Sequence, residues 1–158
     1  NDEYFISSQP DKKTIIIINI KSFEISNTIS NIDCIASQNS LLNFQNFIII
    51  DCLKGIQLLN KKTREITQNI QDFDDDLNNK DFYVYNNRLY ILEEYKNKYS
   101  YYNSSSNIKL SIFEFFDGLL EKIQEYEKME IDDYNLKIMV MNDEQIFLLG
   151  KNIHKLNQ

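Results

Sequence analysis

Ile108-Lys109-Leu110-Ser111-Ile112-Phe113-Glu114-Phe115-Phe116-Asp117-Gly118-Leu119-Leu120-Glu121-Lys122-Ile123-Gln124-Glu125-Tyr126 carries more of the architecture than any other segment of this chain. Its first half, Ile108 to Phe116, is dense in β-branched and aromatic residues and predicts a strand. Asp117 has the side chain of a helix N-cap, and a helix is expected from there to about Glu130. In that register Phe116, Leu119, Leu120, Ile123 and Tyr126 fall at i, i+3, i+4, i+7 and i+10 and make an apolar stripe roughly 120° wide. Such a stripe either covers its own domain or docks on a partner. Leu119, Ile123 and Tyr126, along one edge of it, are the leading interface candidates.

Working towards the N-terminus, Asp81-Phe82-Tyr83-Val84-Tyr85, Asn86-Asn87 and Arg88-Leu89-Tyr90-Ile91-Leu92 form the clearest strand material in the chain. Asn86-Asn87 is either a two-residue turn or a polar break in one bent strand. Thr63 to Asn79 lacks strand alternation, and Ile66, Ile70 and Phe73 suggest a short connecting helix. Phe47 to Asp51 and Ile56 to Asn60 predict a hairpin, with Gly55 supplying the positive φ of its turn. Thr14 to Ile25 is expected as one long strand, and Asn27 to Gln45 as a polar connection with a helical turn near Cys34-Ile35-Ala36. Residues 1-13 are expected as a flexible arm. Beyond the helix, Leu136 to Leu149, broken at Asn142-Asp143-Glu144, predicts a terminal hairpin within 131-158. No internal repeat stands out.

That element order is the order of an OB-fold, a five-stranded Greek-key barrel with a helix between strands three and four. The expected fold is therefore mainly β with flanking helices: a barrel over 14-130 that ends in the helix, followed by the extra hairpin. The sequence resembles the middle and small subunits of replication protein A and the Stn-type and Ten-type subunits of the telomeric CST complex. Asp51-Cys52-Leu53-Lys54-Gly55 keeps the first Asp and last Gly of their D-D-G-T-G turn, Asp81 to Ile91 looks like their fourth strand, and Ile108 to Met129 looks like the end of the Ten-type fold. With so many AT-codon residues, the chain would suit the CST-like small subunit of a ciliate telomerase holoenzyme. The resemblance implies a nuclear, non-catalytic subunit of a telomere or single-stranded-DNA maintenance complex, docked on a larger OB-fold partner as a heterodimer or trimer.

Two other functions compete. Lys96, Lys98, Tyr99, Tyr101 and Tyr102 interleave cations and aromatics without acids, and in an OB-fold they would join strands four and five, where bases stack on rings. A weak single-stranded nucleic-acid contact is expected there, because a net charge of -7 repels phosphate elsewhere. The alternative in a different class is an unrelated β-rich structural domain such as a propeller fragment, suggested by several short strand pairs at similar spacing.

The remaining signals are mainly exclusions. One His and two Cys cannot complete a four-ligand zinc site. Cys34 and Cys52 are expected as reduced thiols in an intracellular protein. Asp72, Asp74 and Asp76 match positions 1, 3 and 5 of a calcium loop, but Leu77 and Tyr83 stand where Gly and Glu are required. No nucleophile elbow, Gly-rich phosphate loop or H-E-x-x-H is present, so neither an enzyme nor a cofactor is expected. His154 is expected at the surface, without a partner. No apolar run approaches the ~20 residues of a membrane span.

Overall fold

The computed structural model describes residues 4–9, 14–30, 41–52, 55–71, 73, 77–95, 106–133, 135–141 and 145–156. Every regular element among them is a strand: β1 Tyr4–Gln9, β2 Thr14–Asn19, β3 Ile25–Ile29, β4 Leu41–Phe44, β5 Phe47–Cys52, β6 Gly55–Asn60, β7 Ile66–Ile70, β8 Leu77–Tyr85, β9 Arg88–Tyr95, β10 Ser106–Phe116, β11 Leu119–Ile131, β12 Lys137–Val140, β13 Ile146–Leu149 and β14 Ile153–Leu156. They form four separate antiparallel meanders, each with neighbours in chain order: β1-β2-β3, β4-β5-β6-β7, β8-β9-β10-β11 and β12-β13-β14. The chain divides into two compact units, Asn1–Phe73 and Asp74–Gln158.

This topology overturns the OB-fold expectation. A Greek-key barrel needs strands that pair out of chain order and close on themselves, whereas every pairing here joins consecutive strands within a small sheet. Neither expected helix forms. Ile66 and Ile70 lie on β7, and Leu119 to Ile131 is a strand. Part of the expected N-terminal arm, Tyr4–Gln9, pairs with β2. The single long strand expected over Thr14 to Ile25 is two strands around a tight turn, and part of the expected polar connection belongs to β3 and β4. The β5–β6 and β12–β13 hairpins form as expected. Cys34-Ile35-Ala36 and Asp72, Asp74 and Asp76 lie outside the described residues.

In the first unit the core is built where β2 meets β5 and β6. Ile15 packs with Ile48, Ile50, Cys52 and Leu59, and Ile29, Leu41 and Ile66 flank them. Cys52 is disulfide-bonded rather than reduced. The sequence has one other cysteine, Cys34, outside the described residues. Gly55 is required for space and not for a positive φ, since a Cβ there would lie 2.0 Å from the carbonyl oxygen of Ile70 on β7.

The two sheets of this unit share a repeated hairpin that escaped the sequence-based expectation. Ile15, Asn19, Lys21, Ser22, Glu24, Ile25, Ser26 and Ile29 correspond, 41 positions on, to Ile56, Asn60, Lys62, Thr63, Glu65, Ile66, Thr67 and Ile70. In each hairpin the Asn carboxamide oxygen accepts two backbone N–H groups, from Lys21 and Ser22 and from Lys62 and Thr63. The hydroxyls of Ser26 and Thr67 each donate to a carbonyl nine residues back, and both strand pairs carry a bulge at the equivalent step.

In the second unit, Tyr90, Leu92, Ile108, Leu110 and Ile112 on one face of β9 and β10 pack against Leu136, Ile138, Val140, Ile146 and Leu148 of the next sheet. Three carboxylates fasten the last sheet and the connection that leads to it. Asp81 accepts the backbone N–H of Ile138 at 2.8 Å and an ion pair from Lys137 at 3.0 Å. Buried Glu94 accepts the Ser106 hydroxyl and the Asn135 N–H. Buried Asp133 accepts the N–H groups of Lys151 and Asn152. The side chain of His154, expected to stand without a partner, is half-buried, with Nε2 3.2 Å from Asp133 Oδ2. Charge-assisted hydrogen bonds of this kind satisfy backbone donors that a three-stranded sheet would otherwise leave in an apolar seam.

Candidate interaction surface

The β10–β11 hairpin turns on Asp117 at φ 48° and Gly118 at φ 85°. Two consecutive positive φ values mark a type I′ turn, whose twist matches that of the flanking strands, and Asp-Gly is one of its preferred pairs. Asp117 is therefore a hairpin residue and not an N-cap. The neighbouring β8–β9 connection is built the same way, with Asn86 at 45° and Asn87 at 65°, which settles Asn86-Asn87 as a turn. The two turns are tied together: Asn87 Nδ2 donates to the Phe115 carbonyl at 2.8 Å, and the Phe115 N–H donates to the Asn87 carbonyl at 3.1 Å.

This hairpin redistributes the five residues of the expected helical stripe. Phe116 and Leu119 sit opposite one another beside the turn and are 68% and 44% exposed. Ile123 occupies the bulge between the Ile112 and Phe113 pairings and is 45% exposed. Leu120 is buried, and Tyr126 packs partly into the core beside Ile108 and Leu110. A period-2 strand, unlike a helix, sends neighbouring residues to opposite faces, so the stripe splits into an outward set and an inward set. Phe116, Leu119 and Ile123 are what remains as a surface.

Carboxylates surround that surface: Glu114 on β10, Asp117 in the turn and Glu121 on β11, the last two exposed. Arg88 lies 3.6 Å from Glu114. Further along, Lys109 bridges Glu93 at 3.6 Å and Glu125 at 3.4 Å, and Lys122 meets Glu125 at 2.6 Å. Burial pushes the Glu125 carboxyl up, but the Lys122 hydrogen bond, the charges of Lys109 and Lys122 and the Ser111 hydroxyl outweigh it and bring it down to about 2. Tyr95 donates its hydroxyl to Glu93 at 3.0 Å. Among the described residues no group of His, Cys, Asp or Glu is arranged to hold a metal ion. The expected nucleic-acid contacts Lys96, Lys98, Tyr99, Tyr101 and Tyr102 lie outside the described residues.

Four small antiparallel meanders following one another along the chain are the blades of a β-propeller-type fold. Solved structures agree. One chain of a S. cerevisiae assembly of a Dbp5 variant with Nup159, a Gle1 variant, IP6 and ADP matches 99% of this chain at 11% identity and TM-score 0.56. Hsv2 of Kluyveromyces marxianus matches 99% at 13% identity and TM-score 0.50. This chain covers 45% and 58% of those two chains and so spans about half their length. No family model and no curated protein matches. These neighbours replace the replication-protein and CST resemblance, and the telomeric role inferred from it, with the propeller-fragment alternative.

Proposed function

We infer that this chain is a non-catalytic propeller-type interaction domain that docks a protein partner through the tip of the β10–β11 hairpin. The observation that carries this reading is the exposed pair Phe116 and Leu119, opposite one another beside the two-residue turn, with exposed Ile123 further along β11 and the carboxylates Glu114, Asp117 and Glu121 on the same hairpin. Apolar side chains held out by a stiff hairpin lose little conformational freedom on binding, and aromatic anchors of this kind supply most of the energy at interfaces. The carboxylate border selects a partner whose apolar pocket has a basic rim. The charged groups deeper in the sheet are engaged in ion pairs with one another, which supports the non-catalytic reading. Of the similar structures, the Dbp5 assembly is itself a multi-protein complex, which is consistent with a docking role.

The test is the protein isolated from its native source. A stable copurifying protein, lost when Phe116 and Leu119 are both changed to Ser while the circular dichroism spectrum is unchanged, is expected. Isolation as a monomer without a bound subunit, or an unaltered complex in the double variant, would overturn the reading.

A further inference from the structure

The repeat within the first unit also shows what one of its sheets lacks. Asn19 on β2 pairs with Tyr4 on β1, and its counterpart Asn60 on β6 pairs with Phe47 on β5. Each pairing then runs without a bulge, to Gln9 in one sheet and to Cys52 in the other. β1 therefore holds the place of β5, with Tyr4, Phe5 and Ile6 matching Phe47, Ile48 and Ile49. On its other edge β5 carries β4, antiparallel, with Phe44, Asn43, Leu42 and Leu41 opposite Phe47, Ile48, Ile49 and Ile50. Among the described residues no strand takes that place beside β1, so one sheet has three strands where its repeat has four. Residues 4–7 present there the row of backbone donors and acceptors that β4 satisfies on β5.

An open strand edge is a template for pairing, and chains commonly blunt it with charge, proline or a bulge. β11, the edge of its own sheet, has Glu121, Lys122, Glu125 and Glu127 and two bulges. β1, with the sequence Tyr-Phe-Ile-Ser-Ser-Gln, has no charged residue, no proline and no bulge. We propose that the free edge of β1 is an acceptor site for an extended segment of a protein partner, added antiparallel as β4 is added to β5. Main-chain hydrogen bonds give such a site its affinity, and the side chains of the added strand give it selectivity. β4 itself sets the chemistry of that segment: Leu-Leu-Asn-Phe, apolar at the first, second and fourth positions, with Phe44 buried. A second copy of this chain fits the edge less well. β1 paired with its own copy in the register of β4 would put Ser7 where Phe44 stands.

The probe is a fluorescent peptide of residues 40–45, which contains the β4 sequence, titrated with the full chain. Saturable binding is expected, with slower hydrogen exchange at the amides of residues 4–7 and unchanged exchange in β4 and β5. In an antiparallel pair the N–H groups of alternate residues point at the partner strand. Methylating the peptide nitrogens of Leu41 and Asn43, or those of Leu42 and Phe44, should therefore give unequal results: one peptide weakened more than about fivefold and the other bound like the parent. Contact through side chains alone would treat the two peptides alike. The comparison changes only the peptide, so misfolding of the protein cannot imitate it. Absence of binding would overturn the proposal, as would equal effects of the two methylations or loss of protection from β4, which would mean that the peptide displaces β4 from β5. A dimer of the chain held through residues 4–7, and not dissociated by the peptide, would assign the edge to a second copy and also overturn it. The chain with Phe116 and Leu119 changed to Ser should bind the peptide like the parent, so the β1 edge and the β10–β11 docking reading stand or fall separately.

Discussion

Glu125 shows how one side chain can be read wrongly in a sequence and correctly in a sheet. On a helix it would be one of many solvated acids. On β11 it faces Lys109, Ser111 and Lys122, which hold its carboxyl at about 2, below the ordinary 4.5. A carboxylate whose folded pKa is depressed adds stability above its unfolded value and loses it as pH falls towards the folded one. The contribution of Glu125 is therefore complete above about pH 4.5 and fades down to about pH 2. Urea midpoints measured across that window should fall less steeply for Glu125→Gln than for the parent, with the two curves converging at the acid end. Parallel curves would mean that the ion pairs with Lys109 and Lys122 do not form in solution. His154 makes the same point about legibility, since its partner Asp133 is 21 residues away and no spacing rule connects them.

At the level of elements, the decisive ambiguity is Asp117-Gly118. Asp is a good N-cap and also a good first residue of a type I′ turn, and Gly118 distinguishes the two, being poor in the first turn of a helix and well suited to positive φ. The apolar spacing of Phe116, Leu119, Leu120, Ile123 and Tyr126 favours the helix because a bulge at Ile123 shifts the strand alternation by one and mimics a helical period. Gly118→Ala gives the two structures opposite signs. It should destabilise the hairpin by about 1 kcal/mol, whereas in a helix it would stabilise by a similar amount. Denaturant titration of this one variant reads the sign. The β5–β6 and β12–β13 hairpins are legible because short apolar runs flank obvious polar or Gly-containing breaks. The repeat from Asn19 to Ile25 and from Asn60 to Ile66 is present in the sequence but inconspicuous. In a chain with 24 Ile and 20 Asn, matches between those residues carry little information until the shared hydrogen bonds are seen.

For the molecule as a whole, many of the strands are legible and their pairing is not, because a strand list does not say which strands are neighbours. A barrel and a series of meanders use the same apolar runs. They differ in whether sequence-distant strands pair, and that depends on buried contacts between sheets such as the cluster that takes in Leu92 on β9 and Ile138 on β12. Within the second unit this has a measurable consequence. The β8–β11 and β12–β14 sheets share one core and the Asp81–Ile138 tie, with Glu94 and Asp133 fastening the connection between them, so they should open as a single cooperative unit. In native-state hydrogen exchange, the amides of Ile138 and Leu148 should report the same opening free energy as those of Leu92 and Leu110. Asp133→Ala leaves the N–H groups of Lys151 and Asn152 without their acceptor, which should cost about 1–3 kcal/mol of local protection there. Leu92 and Leu110 should keep their high protection relative to those two turn amides. If Ile138 and Leu148 instead exchanged at a much lower free energy in the parent protein, the last sheet would be a separately folding appendage and not the next blade.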